Sequence, residues 1–220
     1  MFEYILFDLD GTLTDPKEGI TKCVQYALES VGIEEQDLDK LEPFIGPPLA
    51  DSFMEFYGFD RENAMRLVDK YRERFTVKGM YENAVYPGIP EMLRELKEAG
   101  CKISIASSKP TELVEGILVH FDIHKYFDAI VGSNMDGTRV KKEEVVEEAL
   151  RQLQCVKEKT AMVGDRKFDI EGARAFGLTG IGVSFGYAEE HELEEAGADY
   201  IVDTVEDLKN LFLGDHVQNP

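Results

Sequence analysis

The sequence predicts an α/β fold: a Rossmann-like core with a doubly wound parallel sheet, interrupted near its start by an all-helical insertion. Three observations carry this expectation. Ile5-Leu6-Phe7 is a short continuous apolar run, as in a strand buried on both faces of a parallel sheet. From Tyr86 onward, short apolar runs alternate with helical stripes, the pattern of repeated βαβ units. Between Pro16 and Ala84 the pattern gives helices and turns but no strand.

The elements follow in order. After the first strand, Ile20, Val24, Ala27, Leu28 and Val31 fit one helical face, and Gly32 closes that helix. Phe53, Phe56 and Tyr57 mark a short helix before Gly58. Ala64, Leu67, Val68, Tyr71 and Phe75 form another stripe. Met92, Leu93 and Leu96 mark a helix ending at Gly100, and residues 101–106 a strand. Leu113, Val114, Ile117, Leu118 and Phe121 mark the next helix, and residues 129–132 the next strand. A helix through Val145, Val146, Ala149, Leu150 and Leu153 leads to a strand over 160–164 and a helix over 170–176. Residues 180–183 and 200–202 are two more short strands, and the polar tail after Leu213 is expected to fray. The organisation is therefore a core of residues 1–15 and 86–220, with residues 16–85 as a helical insertion.

Composition bounds the function. Hydrophobic residues make up 43% of 220, which supports a packed core and argues against disorder. No run approaches the ~18–20 apolar residues of a membrane span. The net charge of −20 argues against nucleic acid and anionic membranes as partners. It leaves room for a small anionic substrate, because charges more than about 8 Å away are largely screened. Cys23, Cys101 and Cys155 are odd in number and far apart, so they read as reduced thiols. With no basic patch before an apolar stretch at the N-terminus, a cytoplasmic location is expected.

In an open parallel sheet, ligands bind outside the carboxyl ends of the strands. The first strand delivers Asp8 and Asp10, two residues apart and so on the same side of an extended chain. Two carboxylates there need a cation or a proton between them. The strand ending at Ala106 delivers Ser107-Ser108-Lys109-Pro110, with Thr111 as the expected helix N-cap. The strand ending at Val163 delivers Gly164-Asp165-Arg166-Lys167-Phe168-Asp169, and Lys141-Lys142 precede the helix leading into it. Each station alone has an ordinary explanation, as a helix cap or a solvated charge pair. Together, Asp8, Asp10 and Asp165 offer hard oxygen ligands suited to Mg²⁺. Ser107, Lys109 and Lys142 offer a hydroxyl and two cations suited to a phosphate. A divalent cation beside a phosphate pocket implies phosphoryl chemistry.

These stations resemble the four motifs of the haloacid dehalogenase superfamily. Asp8-Leu9-Asp10-Gly11-Thr12-Leu13 matches the first in full, Ser107 the second, a lysine before a helix the third, and Gly164-Asp165 with Asp169 the fourth. The stretches Ser184-Phe185-Gly186-Tyr187 and Gly197-Ala198-Asp199-Tyr200 are similar to the phosphoglycolate phosphatase-like branch with a small helical cap, some of whose members are 5′-nucleotidases. The resemblance implies a phosphatase acting on a small phosphorylated metabolite, with the insertion of residues 16–85 as a helical cap that governs substrate choice. Asp8 would be the nucleophile and Asp10 the acid and base. Mg²⁺ would be held by the Asp8 carboxylate, the Asp10 backbone carbonyl and Asp165. Asp169 would orient the loop or hold a metal-bound water. Ser107 and the Ser108 N–H would hold phosphate oxygens. Lys142 would neutralise the phosphoryl group, with Lys141 the alternative one residue away, and Lys109 would face the phosphate in a lesser role.

The resemblance ranks 2-phosphoglycolate first and nucleoside 5′-monophosphates next. A sugar phosphomutase uses the same core, and a phospho-accepting signalling module is the remote alternative, needing no helical cap. A dehalogenase has no leaving alcohol for Asp10 to protonate. Gly46-Pro47-Pro48 either presents substrate-contacting residues or serves as a stiff connector. Pro16 stands where relatives often carry Ser, which stiffens one connection to the cap. The protein is expected to act as a monomer or a homodimer.

Overall fold

A computed structural model describes residues 2–214; the tail expected to fray lies, beyond Gly214, outside the described residues. The chain runs β1 (Tyr4–Phe7), β2 (Thr14–Asp15), α1 (Lys17–Glu29), α2 (Leu49–Tyr57), α3 (Arg61–Phe75) and β3 (Ala84–Val85). It continues α4 (Ile89–Glu98), β4 (Lys102–Pro110), α5 (Thr111–His120), β5 (Ala129–Ser133), α6 (Lys142–Leu153) and β6 (Thr160–Gly164). It ends α7 (Lys167–Ala175), β7 (Thr179–Val183), α8 (Glu192–Ala196), β8 (Tyr200–Val202) and α9 (Val205–Leu213).

Six strands form one parallel sheet in the order β5-β4-β1-β6-β7-β8. β1 is central, with Phe7 opposite Ile105 on one side and Val163 on the other. Its side chains alternate between two apolar clusters. Ile5 and Phe7 enter one and Leu6 the other, all without solvent exposure. Removing the Leu6 side chain would cost about 2–5 kcal/mol.

Helices α1–α3 lie between β2 and β3, which pair antiparallel as a short ribbon. α3 shows why these sequences fold as they do. The Asp60 side chain accepts the Asn63 N–H at 2.8 Å and caps the first turn. Its buried stripe is Ala64, Leu67, Val68, Tyr71 and Phe75. That stripe joins the same apolar cluster as Ile5 and Phe7, so the helical insertion packs continuously with one face of the sheet.

Three expected details differ. Val31 lies beyond the end of α1 at Glu29 and is exposed. Phe56, on α2, is exposed and covered on one side by Phe44. Thr111 is not the N-cap of α5; Pro110 holds that position. The Thr111 hydroxyl accepts the Gly132 N–H at 3.0 Å and ties α5 to β5 instead. Among the described residues no helix is long and apolar enough to cross a membrane.

Candidate active site

β1 ends at Phe7 and β6 at Gly164, while β4 runs on to Pro110, and the segments at the carboxyl ends of these central strands converge to build the site. The Asp8 N–H donates to Val163 O at 2.9 Å, so Asp8 leaves the sheet beside the end of β6. The chain then folds back at once, because Leu9 O accepts N–H groups from Thr12, Leu13 and Thr14. The turn requires glycine at position 11. Its φ is +78°, and a Cβ there would lie 2.0 Å from Asp165 Oδ2. β1 itself ends at Phe7, so strand alternation does not govern Asp10. Asp8 and Asp10 accordingly take different lysines.

Asp8, Asp165 and Asp169 each offer a carboxylate oxygen, all within 4.8 Å of one another, and all three residues are buried. Lys142, at the start of α6, is 6% exposed and reaches this group from the side. Its Nζ lies 3.0 Å from Asp8 Oδ1 and 2.7 Å from Asp169 Oδ1, and donates to Ala106 O at 3.1 Å. Burial alone would lower the Lys142 pKa; the Asp169 and Asp8 carboxylates overcome that and hold it raised. Burial, helped by Asp169 and Asp8, pushes Asp165 well above the ordinary carboxylate range. Burial also lifts Asp169 to about 6, against the lowering pull of Lys142.

One ammonium thus meets two of the three clustered carboxylates. Asp8 Oδ1 and Asp169 Oδ1 meet Lys142 as ion pairs but have no hydrogen bond of ordinary geometry. Buried oxygens left in this state suit a divalent cation with hard oxygen ligands. Asp165 is held ready, because Oδ2 accepts the Tyr187 N–H at 2.8 Å and Oδ1 accepts the Thr12 hydroxyl at 3.4 Å. Asp169 Oδ2 accepts the Arg166 N–H at 3.1 Å. The Asp10 carboxylate stands outside the acidic group; among the described residues no backbone N–H donates to the Asp10 carbonyl.

Asp10 pairs with Lys109 instead, whose Nζ lies 2.9 Å from Oδ1 and 2.6 Å from Oδ2. Burial raises the Asp10 pKa, Lys109 opposes it, and Asp8 adds to the rise. The ammonium of Lys109 also sits 4.7 Å from the centre of the Phe75 ring, at the end of α3. Lys109 reaches this position because β4 slips register between Ala106 and Pro110. Within that slip, Ser107 is buried, its Oγ accepts the Lys109 N–H at 3.3 Å, and Ser108 is half-buried. Lys141 is exposed, and it is Lys142, not Lys141, that reaches Asp8.

A cavity of about 280 Å³ opens beside Asp10. Phe44, Tyr71 and Phe75 form aromatic wall, Gly46-Pro47-Pro48 another side, and Lys109 and Lys141 the polar edge. Tyr71 and Phe75 stack on each other, with ring centres 5.1 Å apart. The sequence reading missed Thr12, Arg166, Tyr187 and Glu192. Thr12, Arg166 and Tyr187 stand inside stretches already singled out, whereas Glu192 reaches the site only through tertiary contact.

This geometry matches known proteins. Residues 5–183 fit the family model described as haloacid dehalogenase-like hydrolase. The chain belongs to the haloacid dehalogenase-like hydrolases. It is 50% identical over 189 residues to a "5′-nucleotidase" of Pseudomonas aeruginosa, covering 86% of each chain. It is 32% identical over 193 residues to a "phosphoglycolate phosphatase" of Aquifex aeolicus, covering 84% of this chain and 86% of that one. Among solved structures, a "predicted phosphatase" from Clostridium acetobutylicum superposes with a TM-score of 0.94 at 47% identity, covering 97% of this chain and 99% of that one. The family fold accounts for the convergence of strand ends described above.

Proposed function

We propose that this hydrolase is a divalent-cation-dependent phosphatase of small monoesters that carries the phosphoryl group on Asp8. The substrate class we favour is the nucleoside 5′-monophosphates. The observation that carries the reading is the unequal environment of two neighbouring carboxylates. Asp8 lies in the acidic group against Lys142, whereas Asp10 lies apart from it at the wall of the cavity. One can attack phosphorus while the other serves the leaving oxygen.

Asp8 and Asp165, with the Asp10 carbonyl, would hold the cation. Bound there, Mg²⁺ would supply charge neutralisation to the transferring phosphoryl group. Lys142 faces Asp8 and offsets its charge as a phosphate approaches. Asp169 keeps Lys142 in place through the 2.7 Å contact. Ser107 and the Ser108 N–H hold phosphate oxygens. Lys109 first holds Asp10; an arriving phosphate dianion offers Lys109 a stronger partner. Losing the Lys109 contact removes the main influence that lowers the Asp10 pKa. Asp10 can then carry the proton that an alkoxide leaving group needs.

Residues 16–85 act as a cap over a core of residues 1–15 and 86–220. The cap supplies Phe44, Tyr71 and Phe75 to an apolar wall that suits an organic leaving group. A cavity of about 280 Å³ is close to the lower end of the range, about 300–1,000 Å³, seen for organic ligands. Together with the Pseudomonas relative, this favours a nucleoside over glycolate and reverses the ranking drawn from the sequence. The second reading, 2-phosphoglycolate, is favoured by Arg61, Arg72 and Lys141 at the cavity wall, which could meet a carboxylate. The test is kcat/KM with Mg²⁺ over nucleoside 5′-monophosphates, 2-phosphoglycolate and β-glucose 1-phosphate. Nucleotides should lead. Preference for 2-phosphoglycolate would select the second reading, and no phosphate release from any of them would sink both.

A further inference from the structure

Arg166 takes no part in the chemistry described above, yet it is 8% exposed, and its backbone N–H, Nε and Nη1 are all engaged. Its backbone N–H donates to Asp169 Oδ2. Its Nε donates to Glu192 Oε1 at 2.9 Å, and its Nη1 donates to Ile45 O at 2.9 Å. Glu192, 9% exposed, is equally committed. Its Oε1 also accepts the Lys167 N–H at 2.7 Å, and its Oε2 accepts the Glu189 N–H at 3.1 Å. One guanidinium therefore ties together the Asp165–Asp169 loop, the start of α8 and the helical insertion. A rigid planar fork is the side chain suited to such a junction, and lysine cannot reproduce it.

The contact with the insertion falls at the wall of the substrate cavity. Ile45 is fully buried and immediately precedes Gly46-Pro47-Pro48, which line that cavity. Gly46 has a φ of +104°, and a Cβ there would lie 3.0 Å from Arg166 Cγ. The turn thus lies directly on the arginine stem. The two prolines that follow limit how the turn can adjust by itself. Its position is consequently set from below, by Arg166.

We propose that Arg166, braced by Glu192, is a positioning residue that seats the 44–48 wall against the acidic group and thereby sets selectivity for the leaving group. This rests on the phosphatase reading above. Without the brace, the wall moves away from the reacting phosphate. Substrates that fill the cavity then lose orientation, while acetyl phosphate, whose leaving group is only the small acetate ion, has little to lose.

The experiment compares wild type with Arg166→Met, using kcat/KM for a nucleoside 5′-monophosphate and for acetyl phosphate. The ratio of the two should fall by about tenfold or more, the loss expected for one charge-assisted hydrogen bond to a positioned wall. Simple loss of folded protein lowers both values equally and leaves the ratio unchanged. Amide hydrogen exchange over residues 41–52 should rise in the variant relative to the sheet strands. An unchanged ratio, or unchanged exchange in that segment, overturns the proposal. If Arg166→Met does not fold, Glu192→Gln removes the charge but keeps the shape. It should shift both readouts in the same direction by less, and no shift in either overturns the proposal. If wild type turns over no nucleotide, the substrate reading fails alone. The ratio is then taken with the bulkiest monoester it does hydrolyse, and the exchange readout needs no substrate.

Discussion

Replacing Lys142 by Met tests the electrostatics of the site most fully. The side chain keeps its length and loses the only ammonium within ion-pair distance of Asp8 and Asp169 among the described residues. At an effective dielectric of about 20, two unit charges 4 Å apart interact by about 4 kcal/mol, and removing one partner of a buried pair costs about 3–5 kcal/mol. Protonation relieves part of that cost. Asp169 has its folded pKa at about 6, above the ordinary 3.8, so the folded state binds more protons between those values. Stability contributed at this residue therefore falls as pH rises from about 3.8 to about 6. Without Lys142, the pull that lowers Asp169 is gone, and the window extends to higher pH. Lys142→Met should lose about 3–5 kcal/mol near pH 8 in EDTA and clearly less near pH 5, measured by urea unfolding with unchanged m. Against a typical total of about 5–15 kcal/mol this is a large share. Phosphate release at saturating Mg²⁺ should fall by about 10²–10³. A loss under about 1 kcal/mol near pH 8, or an equal loss at both pH values, would refute the claim that Lys142 neutralises the buried carboxylates.

Other outcomes follow from the same geometry. Asp10→Asn should slow phosphoryl transfer to Asp8 from nucleoside 5′-monophosphates by about 10²–10⁴, and from p-nitrophenyl phosphate much less, because nitrophenolate leaves without a proton; single-turnover rates of leaving-group release on the two substrates decide it. Mg²⁺ should raise the melting temperature, by about 2.7 kcal/mol of added stability at a hundredfold excess over its Kd, and Asp165→Asn should abolish that rise in a thermal scan. EDTA should remove turnover, and added Mg²⁺ should restore it.

The sheet was legible because burial on both faces writes a continuous apolar run, as Ile5-Leu6-Phe7 does. The α3 stripe was legible for the matching reason, since all five of its expected residues are buried. The β2–β3 ribbon was not, because two-residue strands carry no period. Helix α9 was passed over although Thr204 caps it by accepting the Asp207 N–H at 3.0 Å and Leu208 and Phe212 are buried. At the site, Asp8 and Asp165 could be placed because each directly follows a strand, and Asp10 because it lies in the turn just beyond β1. The choice between Lys141 and Lys142 could not, because the N-terminal register of α6 decides it. The Asp10–Lys109 pair was equally hidden, since it depends on the register slip in β4. The Arg166–Glu192 brace joins residues 26 positions apart, and no local pattern announces it.

The central claim is that Asp8 carries the phosphoryl group. The direct measurement is an acid quench of the enzyme during turnover of a phosphate-labelled substrate, followed by mapping of the labelled peptide. The expected result is label on the peptide containing Asp8, released by hydroxylamine as an acyl phosphate is, and absent in Asp8→Asn. Label on another residue, or turnover with no labelled protein at any quench time, would contradict it.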